Sequence, residues 1–412
     1  MKSRLPLIAY ISQDYPSLTT TFTYREVIGL RKLGWDIITY SIWKPSLDEL
    51  SAEAKPLVAE TFYTFPLKLK DFLKAHLYYV LRNPIKYLNT LALVLSQPQE
   101  TLKKRKRTLA HFGEAVYLAR LMQRQGIRHV HATFAHTASV ALIISKLTGL
   151  TFSFTGHAVD VFSANRILLP LKIKTAKFII TISEYNRQYL SEIAGNSSVE
   201  GKIHIVHYGL DLRSFSPIAE KEERTQTTIL SIGRLVEKKG FPYLIKACKI
   251  LAEKGYKFSC QIIGEGPNRP LLQSMIEEHG LSKFIELVGV VFQERIREYF
   301  HRADIFVLPC VIASDGDRDG IPNVLIEAMA MEIPVISTKI IGIPELIKNG
   351  KEGFLVPQKE EVALADAMAL LLENKDIRQR FGKAGRKRIE AYFNLSKTSA
   401  ELSEIFFKEL NN

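Results

Sequence analysis

Cysteine is scarce. The chain of 412 residues has three, Cys248, Cys260 and Cys310, widely spaced and set in apolar runs or at a strand end. That pattern suggests neither a disulfide framework nor a zinc site, and it fits a reducing compartment. Long apolar runs are also missing, and none reaches the length needed to span a bilayer. The N-terminus goes straight into a strand-like run, Leu5 to Ser12, without a signal-peptide pattern, so a cytoplasmic location is expected. Acidic residues are in the minority: 43 Asp and Glu stand against 56 Lys and Arg, a net charge of +13, with an isoelectric point near 9.4. Such a balance favours polyanions, meaning nucleic acid, anionic lipid or phosphorylated substrates. Nucleic acid is not expected, because no binding fold and no interleaving of aromatic with basic residues is recognisable. The remainder, 46% hydrophobic and 24% charged, is ordinary for a globular protein, and the length predicts two domains, each with a full core.

The apolar runs alternate between strand and helix. Leu5 to Ser12, a helix over Thr20 to Leu33 and a strand over Asp36 to Ile42 form a βαβ opening, the unit of a parallel sheet. Further strands are predicted at Thr151 to Thr155 and Phe178 to Ser183, and at Ile203 to Asp211. After a polar linker near Pro217 to Gln226 the rhythm restarts, with strands at Thr228 to Ile232, Phe258 to Ile263, Phe284 to Gly289 and Asp304 to Pro309. The expected class is α/β, two doubly wound Rossmann-like domains. Residues 66–107 interrupt the rhythm. Leu and Tyr alternate with Lys and Arg at helical spacing and end in Lys103-Lys-Arg-Lys-Arg107. Two readings stay open there: a helical patch that meets anionic membrane, and a helical insertion with a solvated basic face.

Ser314-Asp-Gly-Asp-Arg-Asp-Gly-Ile-Pro-Asn-Val-Leu-Ile-Glu-Ala-Met-Ala330 follows a buried strand and opens a helix, with Pro322 expected in its first turn. A helix start attracts anions. Asp319 and Glu327 bracket it, and acids in that position suit hydroxyl groups such as those of a sugar. An ordinary capped helix with a solvated acidic loop is one competing reading of the stretch, and a calcium loop at D-x-D-x-D-G is another. The calcium loop needs Glu at its twelfth position, whereas Ile326 stands there counting from Asp315. Gly233-Arg234 to Lys239-Gly240 is the second anchor: Arg234 can fork onto phosphate oxygens and Lys239 adds a point charge. His157, after Gly156 and just past a strand end, sits where parallel sheets place catalytic groups, although on these residues alone a satisfied loop histidine is the favoured reading. His129 and His131 alternate along a strand. Metal binding is one reading of them, and local hydrogen bonds the favoured one.

Asp319, seven residues, then Glu327, within G-I-P-N-V-L-I-E-A-M-A, resembles the nucleotide-sugar motif of retaining glycosyltransferases of the GT-B fold, family 4. The preceding D-G-D-R-D-G is similar to a bacterial exopolysaccharide and colanic-acid (amylovoran-type) subgroup. Gly233-Arg-Leu-Val-Glu-Lys-Lys-Gly240 matches the family's G-R-L-x-x-x-K-G, and His157 with Asp160 matches its H-x-x-D. The family's first acid is usually Glu. Here Asp319 is shorter by about one C–C bond. The first β–α loop, Gln13 to Thr19, has Ser and Thr where many members have a glycine pair.

The resemblance implies two domains facing across a cleft: residues 1–212 on the acceptor side, 213–393 binding the nucleotide sugar, and 394–412 crossing back to the first. It implies that Arg234 and Lys239 hold a diphosphate, that Glu327 accepts from ribose hydroxyls, and that Asp319 contacts the donor sugar. The backbone at Gly320, Ile321 and Asn323 would face the phosphates or sugar, and Val290 would line the base. His157 would be catalytic, near the reacting carbon, with Asp160 on the acceptor side. The implied reaction moves a sugar, with retention, from a nucleotide-diphosphate sugar to a glycan or lipid-linked acceptor in cell-surface polysaccharide synthesis. No cofactor or metal is expected, since cationic side chains hold a metal's place. Attack comes from the front face, the leaving phosphate takes the proton, and domain closure gates turnover. Two other readings compete: a non-enzymatic module for anionic lipid or nucleic acid, and a sugar phosphorylase or synthase on the same fold.

Overall fold

The computed structural model describes residues 5–17, 20–96, 101–162, 167–195, 199, 201–217, 226–291 and 293–411. The chain divides into two units, Met1–Gly209 with Ser396–Asn412, and Leu210–Leu395. The division falls between Gly209 and Leu210 rather than after residue 212. Leu210 bridges to Asn394 within the second unit, which pins that junction. Most of the predicted linker, residues 218–225, lies outside the described residues.

The first unit contains β1 (Ile8–Asp14), α1 (Thr21–Lys32), β2 (Ile37–Trp43), β3 (Thr61–Tyr63), α2 (Leu69–Arg82), α3 (Pro84–Leu95), α4 (Leu102–Gln125), β4 (His129–Ala132), α5 (Ala138–Thr148), β5 (Thr151–Gly156), α6 (Val159–Phe162), α7 (Leu169–Thr175), β6 (Ile179–Thr181), α8 (Glu184–Ala194) and β7 (Ile203–Ile205). Its strands form one parallel sheet in the order β3-β2-β1-β4-β5-β6-β7. The order reverses between β1 and β4, and ligands of such sheets bind beyond the strand C-termini at that reversal. β1 is buried over Ile8 to Ile11 on both faces, as a strand covered by helices on each side must be. The helical stretch predicted over 66–107 does not stop at 107. It comprises α2, α3 and the first turns of α4, and α4 continues to Gln125 because its later turns bury Phe112, Ala115, Val116, Ala119 and Met122.

The second unit contains β8 (Thr227–Ile232), α9 (Phe241–Glu253), β9 (Phe258–Ile263), α10 (Arg269–Glu278), β10 (Ile285–Gly289), α11 (Gln293–Arg302), β11 (Ile305–Leu308), α12 (Asn323–Ala330), β12 (Val335–Thr338), α13 (Ile343–Leu346), β13 (Gly353–Val356), α14 (Glu361–Glu373) and α15 (Lys375–Tyr392). Its parallel sheet runs β10-β9-β8-β11-β12-β13 and reverses between β8 and β11. β11 and β12 are fully buried, as central strands between two helical layers should be. Pro322 is not inside the α12 first turn, as predicted, but at its N-cap with extended backbone (ψ 124°). Its carbonyl accepts the Leu325 N–H at 3.0 Å, so the helix begins one residue later.

The last helix, α16 (Leu395–Asn411), belongs almost wholly to the first unit. Phe406 packs edge-on against Trp35 and Phe178, with ring centroids 5.7 and 5.2 Å apart. The Trp35 indole N–H donates to Ser403 Oγ at 2.8 Å. Burial of a phenylalanine of this kind contributes about 1.5–3 kcal/mol, enough to make the helix an integral layer of that unit.

Candidate active site

The reversal point of the second unit gathers the predicted donor residues. β8 ends at Ile232 and β11 at Leu308, so the loops that leave them lie side by side. Gly240 makes their contact close. Its φ is +69°, and a Cβ there would come within 1.8 Å of the Pro309 carbonyl oxygen, a position only glycine fills. The Val311 N–H then donates to the Lys238 carbonyl at 2.9 Å, locking loop to loop. Gly264, at the end of β9, approaches in the same way: a Cβ would sit 2.0 Å from the Gly233 carbonyl oxygen.

This frame brings cations and carboxylates together. Lys239 Nζ donates to Asp319 Oδ2 at 2.5 Å. Lys238 Nζ lies 3.1 Å from Asp317 and 3.4 Å from Asp319. Burial alone would raise the Asp319 carboxyl, but the Lys239 and Lys238 ammonium groups overcome that and hold it below the usual carboxylate range. Burial pulls Lys239 down, and the Asp319 carboxylate more than restores it, leaving its pKa raised. Arg234 is exposed, and its charge acts on Lys239. Gly320 and Ile321 are buried. Asn323 opens α12, and its side-chain oxygen is buried without a partner. Glu327 lies one turn further along the same face, half-buried. Val290, just past β10, is exposed.

The acids of the D-x-D pattern are already engaged. Asp315 accepts the Asp317 N–H at 2.8 Å, and Asp317 pairs with Lys238. Among the described residues no three His, Cys, Asp or Glu side chains gather as a metal site. Cys310 lies 3.8 Å from Asp319, and burial raises its thiol further above the physiological range.

In the first unit the predicted residues lie at the C-terminal ends of β4 and β5. His157 is buried, with Nε2 2.8 Å from the Thr133 carbonyl oxygen. A carbonyl only accepts, so Nε2 carries the proton and Nδ1 receives the Tyr208 hydroxyl. Burial pushes the His157 pKa down to about 4, so the ring is neutral at pH 7. Its walls are Phe134 and Phe22, at centroid distances of 4.5 and 5.0 Å. Asp160 holds this corner together: one carboxylate oxygen accepts the Ala135 N–H at 2.5 Å, the other the His157 N–H at 3.0 Å. Its role visible here is to tie the β4 and β5 ends together, which positions His157. His129 and His131 spend every ring nitrogen on hydroxyls: Thr151 and Ser153 for His129, Ser153 and Thr155 for His131, at 2.7 to 3.0 Å. They are hydrogen-bonded interior residues, not metal ligands.

Comparison with known proteins decides the family. Residues 214–388 match the model for glycosyl transferases, group 1. The chain is 33% identical over 299 residues to the putative colanic acid biosynthesis glycosyltransferase WcaL of Escherichia coli K12, covering 72% of this chain and 69% of that one. This chain belongs to the glycosyl transferases group 1 family. It is also 32% identical over 303 residues, with the same coverage, to the amylovoran biosynthesis glycosyltransferase AmsK of Erwinia amylovora. A Rickettsia africae glycosyltransferase superposes with a TM-score of 0.72 at 19% identity, covering 99% of both chains. The sucrose-phosphate synthase of Thermosynechococcus elongatus gives 0.75 at 18%, covering 98% of both. These likenesses show the GT-B fold.

One residue of this glycosyltransferase's site escaped the sequence reading. Lys238 looks like half of a solvated Lys-Lys turn, yet it is 8% exposed and neutralises two aspartates. Its signal was the D-x-D-x-D run, whose crowded negative charge calls for more than one cation.

The ion pair sets a pH dependence. Asp319, with a depressed pKa, contributes stability that is present above the unfolded carboxylate value near 3.9 and lost as pH falls through the folded value. Lys239, with a raised pKa, contributes stability that is present below the unfolded lysine value and lost as pH rises through the folded one. Asp319→Asn should therefore cost about 2 kcal/mol at pH 7, below the 3–5 of a fully buried pair. In chemical denaturation the gap to wild type should narrow below about pH 4. A gap that stays constant down to pH 2 would contradict the pairing.

Proposed function

We propose that this glycosyltransferase moves a sugar, with retention of anomeric configuration, from a nucleotide-diphosphate sugar to a glycan or lipid-linked acceptor in cell-surface polysaccharide assembly, as a family-4-like enzyme. One observation carries the reading. Arg234, Lys238 and Lys239 converge at the reversal point of the second sheet, where such sheets take dinucleotide phosphates, and Asp319 and Glu327 flank the start of α12. The names of the WcaL and AmsK relatives support the polysaccharide context.

The proposed chemistry follows from charge. As the glycosidic bond to the diphosphate breaks, negative charge grows on the leaving phosphate. Arg234 and Lys239 meet that charge, each such contact contributing on the order of 3 kcal/mol to the transition state. To do so Lys239 exchanges Asp319 for a phosphate oxygen, and the freed Asp319 carboxylate accepts from sugar hydroxyls. Glu327 accepts from the ribose. Backbone at Gly320, Ile321 and Asn323 faces phosphate or sugar, and Val290 lies against the base. The acceptor hydroxyl attacks from the side the diphosphate leaves, and a leaving-phosphate oxygen takes its proton, so no enzyme nucleophile is needed. His157, neutral and walled by Phe134 and Phe22, is the proposed catalytic residue of the first unit. The positive charge comes from side chains, and no resident metal is invoked. In a panel of UDP-, GDP- and ADP-sugars, wild type should release free nucleotide from one donor class and give a retained product by NMR. Arg234→Ala and Glu327→Ala should each weaken donor binding at least tenfold. Normal binding in both variants would sink the reading.

We further propose that the enzyme works at the cytoplasmic face of an anionic membrane through α2 and α3. Among the described residues no helix is long and apolar enough to cross a membrane. Yet α2 shows Leu69, Leu73, Leu77 and Leu81 outward at four-residue spacing while Ala75 and Tyr79 face inward. α3 adds Ile85, 73% exposed, and Leu88. A buried helical insertion would not spend leucines this way. Exposed Lys70, Lys74, Arg82 and Lys86 lie among them, each worth about 1 kcal/mol near an anionic surface. The protein should co-sediment with phosphatidylglycerol vesicles, less at high salt. Leu73→Glu with Leu77→Glu should abolish this, whereas undiminished sedimentation of the double variant excludes these helices.

A further inference from the structure

Three consecutive residues after β8 divide the acidic loop among them. Glu237, Lys238 and Lys239 form one short 3₁₀ turn. Glu237 accepts the Ser314 N–H at 3.0 Å and the Ser314 hydroxyl at 2.8 Å. Lys238 reaches both Asp317 and Asp319, and Lys239 reaches Asp319. The two lysines do not compete for the same atom. Lys239 Nζ sits 2.5 Å from Asp319 Oδ2, whereas Lys238 Nζ sits 3.4 Å from Oδ1. A carboxylate accepts on both oxygens, and here each oxygen has its own ammonium.

The two ammonium groups differ in freedom. Lys238 is buried, and its carbonyl accepts the Val311 N–H at 2.9 Å, so its backbone and its tip are both tied to the loop after β11. Its other partner is itself fixed. Asp317 Oδ1 accepts the Arg318 N–H at 2.8 Å, the Asp317 N–H donates to Asp315 at 2.8 Å, and its carbonyl accepts the Ala313 N–H at 2.9 Å. Were Lys238 to leave, two largely buried carboxylates would lose a counter-charge, which is costly. Lys239 is held by one carboxylate. Its stem runs beside Gly233, where a Cβ would come within 3.3 Å of Lys239 Cδ and Cε. With no side chain at Gly233, that stem has room to move.

Charge decides what becomes of Asp319 when Lys239 departs. Among the described residues, Lys239, Lys238 and the Cys310 thiol, 3.8 Å from Oδ2, face this carboxylate. Burial raises the thiol far above the physiological range, so it stays protonated and brings no charge. Burial also pushes the Asp319 carboxyl up, and Lys239, then Lys238, bring it below its ordinary value. A buried carboxylate stripped of its cations takes up a proton. It then gives up accepting positions that sugar hydroxyls need. A second ammonium that stays behind prevents this.

We propose that Lys238 is a positioning residue of the sugar transfer. It keeps Asp319 Oδ1 when Lys239 turns to the diphosphate, so that the carboxylate stays ionised and in place and offers Oδ2 to a hydroxyl of the donor sugar. Asp317 serves as the anchor of Lys238. The arrangement also accounts for an aspartate at 319, because a longer side chain would carry the carboxylate about 1.5 Å past the ammonium that holds it. This deepens the transferase reading and rests on it for the diphosphate and the sugar.

The test follows the Asp319 carboxyl by ¹³Cγ NMR of the full chain labelled in aspartate, and its first arm needs no ligand. Lys239→Met stands for the state in which Lys239 has left. Adding Lys238→Met to that variant should raise the Asp319 pKa by about one pH unit or more, and Lys238→Arg in its place should undo most of the rise. An Asp319 pKa indifferent to residue 238 overturns the proposal. Should the double variant not fold, Lys238→Met alone with inorganic pyrophosphate gives a second reading. Saturating pyrophosphate should raise the Asp319 pKa by about one pH unit or more in that variant and much less in wild type; equal responses overturn the proposal. In calorimetry, Lys239→Met should weaken pyrophosphate binding at least tenfold. A loss as large in Lys238→Met would make Lys238 a phosphate ligand, which also overturns the positioning role. Pyrophosphate that fails to bind wild type counts against the transferase reading, whereas the ligand-free arm decides the role of Lys238 by itself.

Discussion

The Lys239–Asp319 ion pair is the constraint on which the second unit's site depends. Two ionised groups are held mostly out of water, which is tolerable only because each has the other and Lys238 adds a second ammonium. Their meeting is built by the backbone. Without Gly240 against the Pro309 carbonyl, the loops after β8 and β11 could not close to this distance. The pair also gives each charge a resting partner, so that under the proposed function an arriving diphosphate would replace one anion by another instead of entering an unscreened cluster of cations.

The first unit solves a different problem. Its sheet interior contains a string of imidazoles and hydroxyls, from Thr151 through His129, Ser153 and His131 to Thr155, in which each ring nitrogen has one partner. Satisfied in this way, polar groups rigidify a core. That rigidity sets the strand ends on which His157 sits, and Asp160 fixes the last degree of freedom by bridging two loops.

Much of this was legible in the residues. The alternation of short apolar runs with amphipathic stretches requires a parallel α/β sheet, and the spacing of Asp319, Glu327, Arg234 and Lys239 resembles one family's motif closely. Local pattern could not show which charges pair. Asp319 reads as a sugar ligand, and only the chain's return through β11 reveals that it faces Lys239. Lys238 was hidden because a Lys-Lys doublet looks the same whether solvated or buried. Asp160 shows the same limit: whether a carboxylate faces a ligand or two backbone N–H groups depends on tertiary approach. Helix ends were off where burial outlasted the basic run, as in α4.

The central claim is that Asp319 exchanges Lys239 for the sugar when a diphosphate arrives. Calorimetric titration of wild type and Asp319→Asn with a free nucleoside diphosphate, and with its nucleotide sugar, measures this directly. The account predicts that the variant binds the free nucleotide at least as tightly as wild type, since a competing anion is weakened. It also predicts that the extra affinity contributed by the sugar disappears. Loss of free-nucleotide binding in the variant, or an undiminished sugar increment, would contradict it.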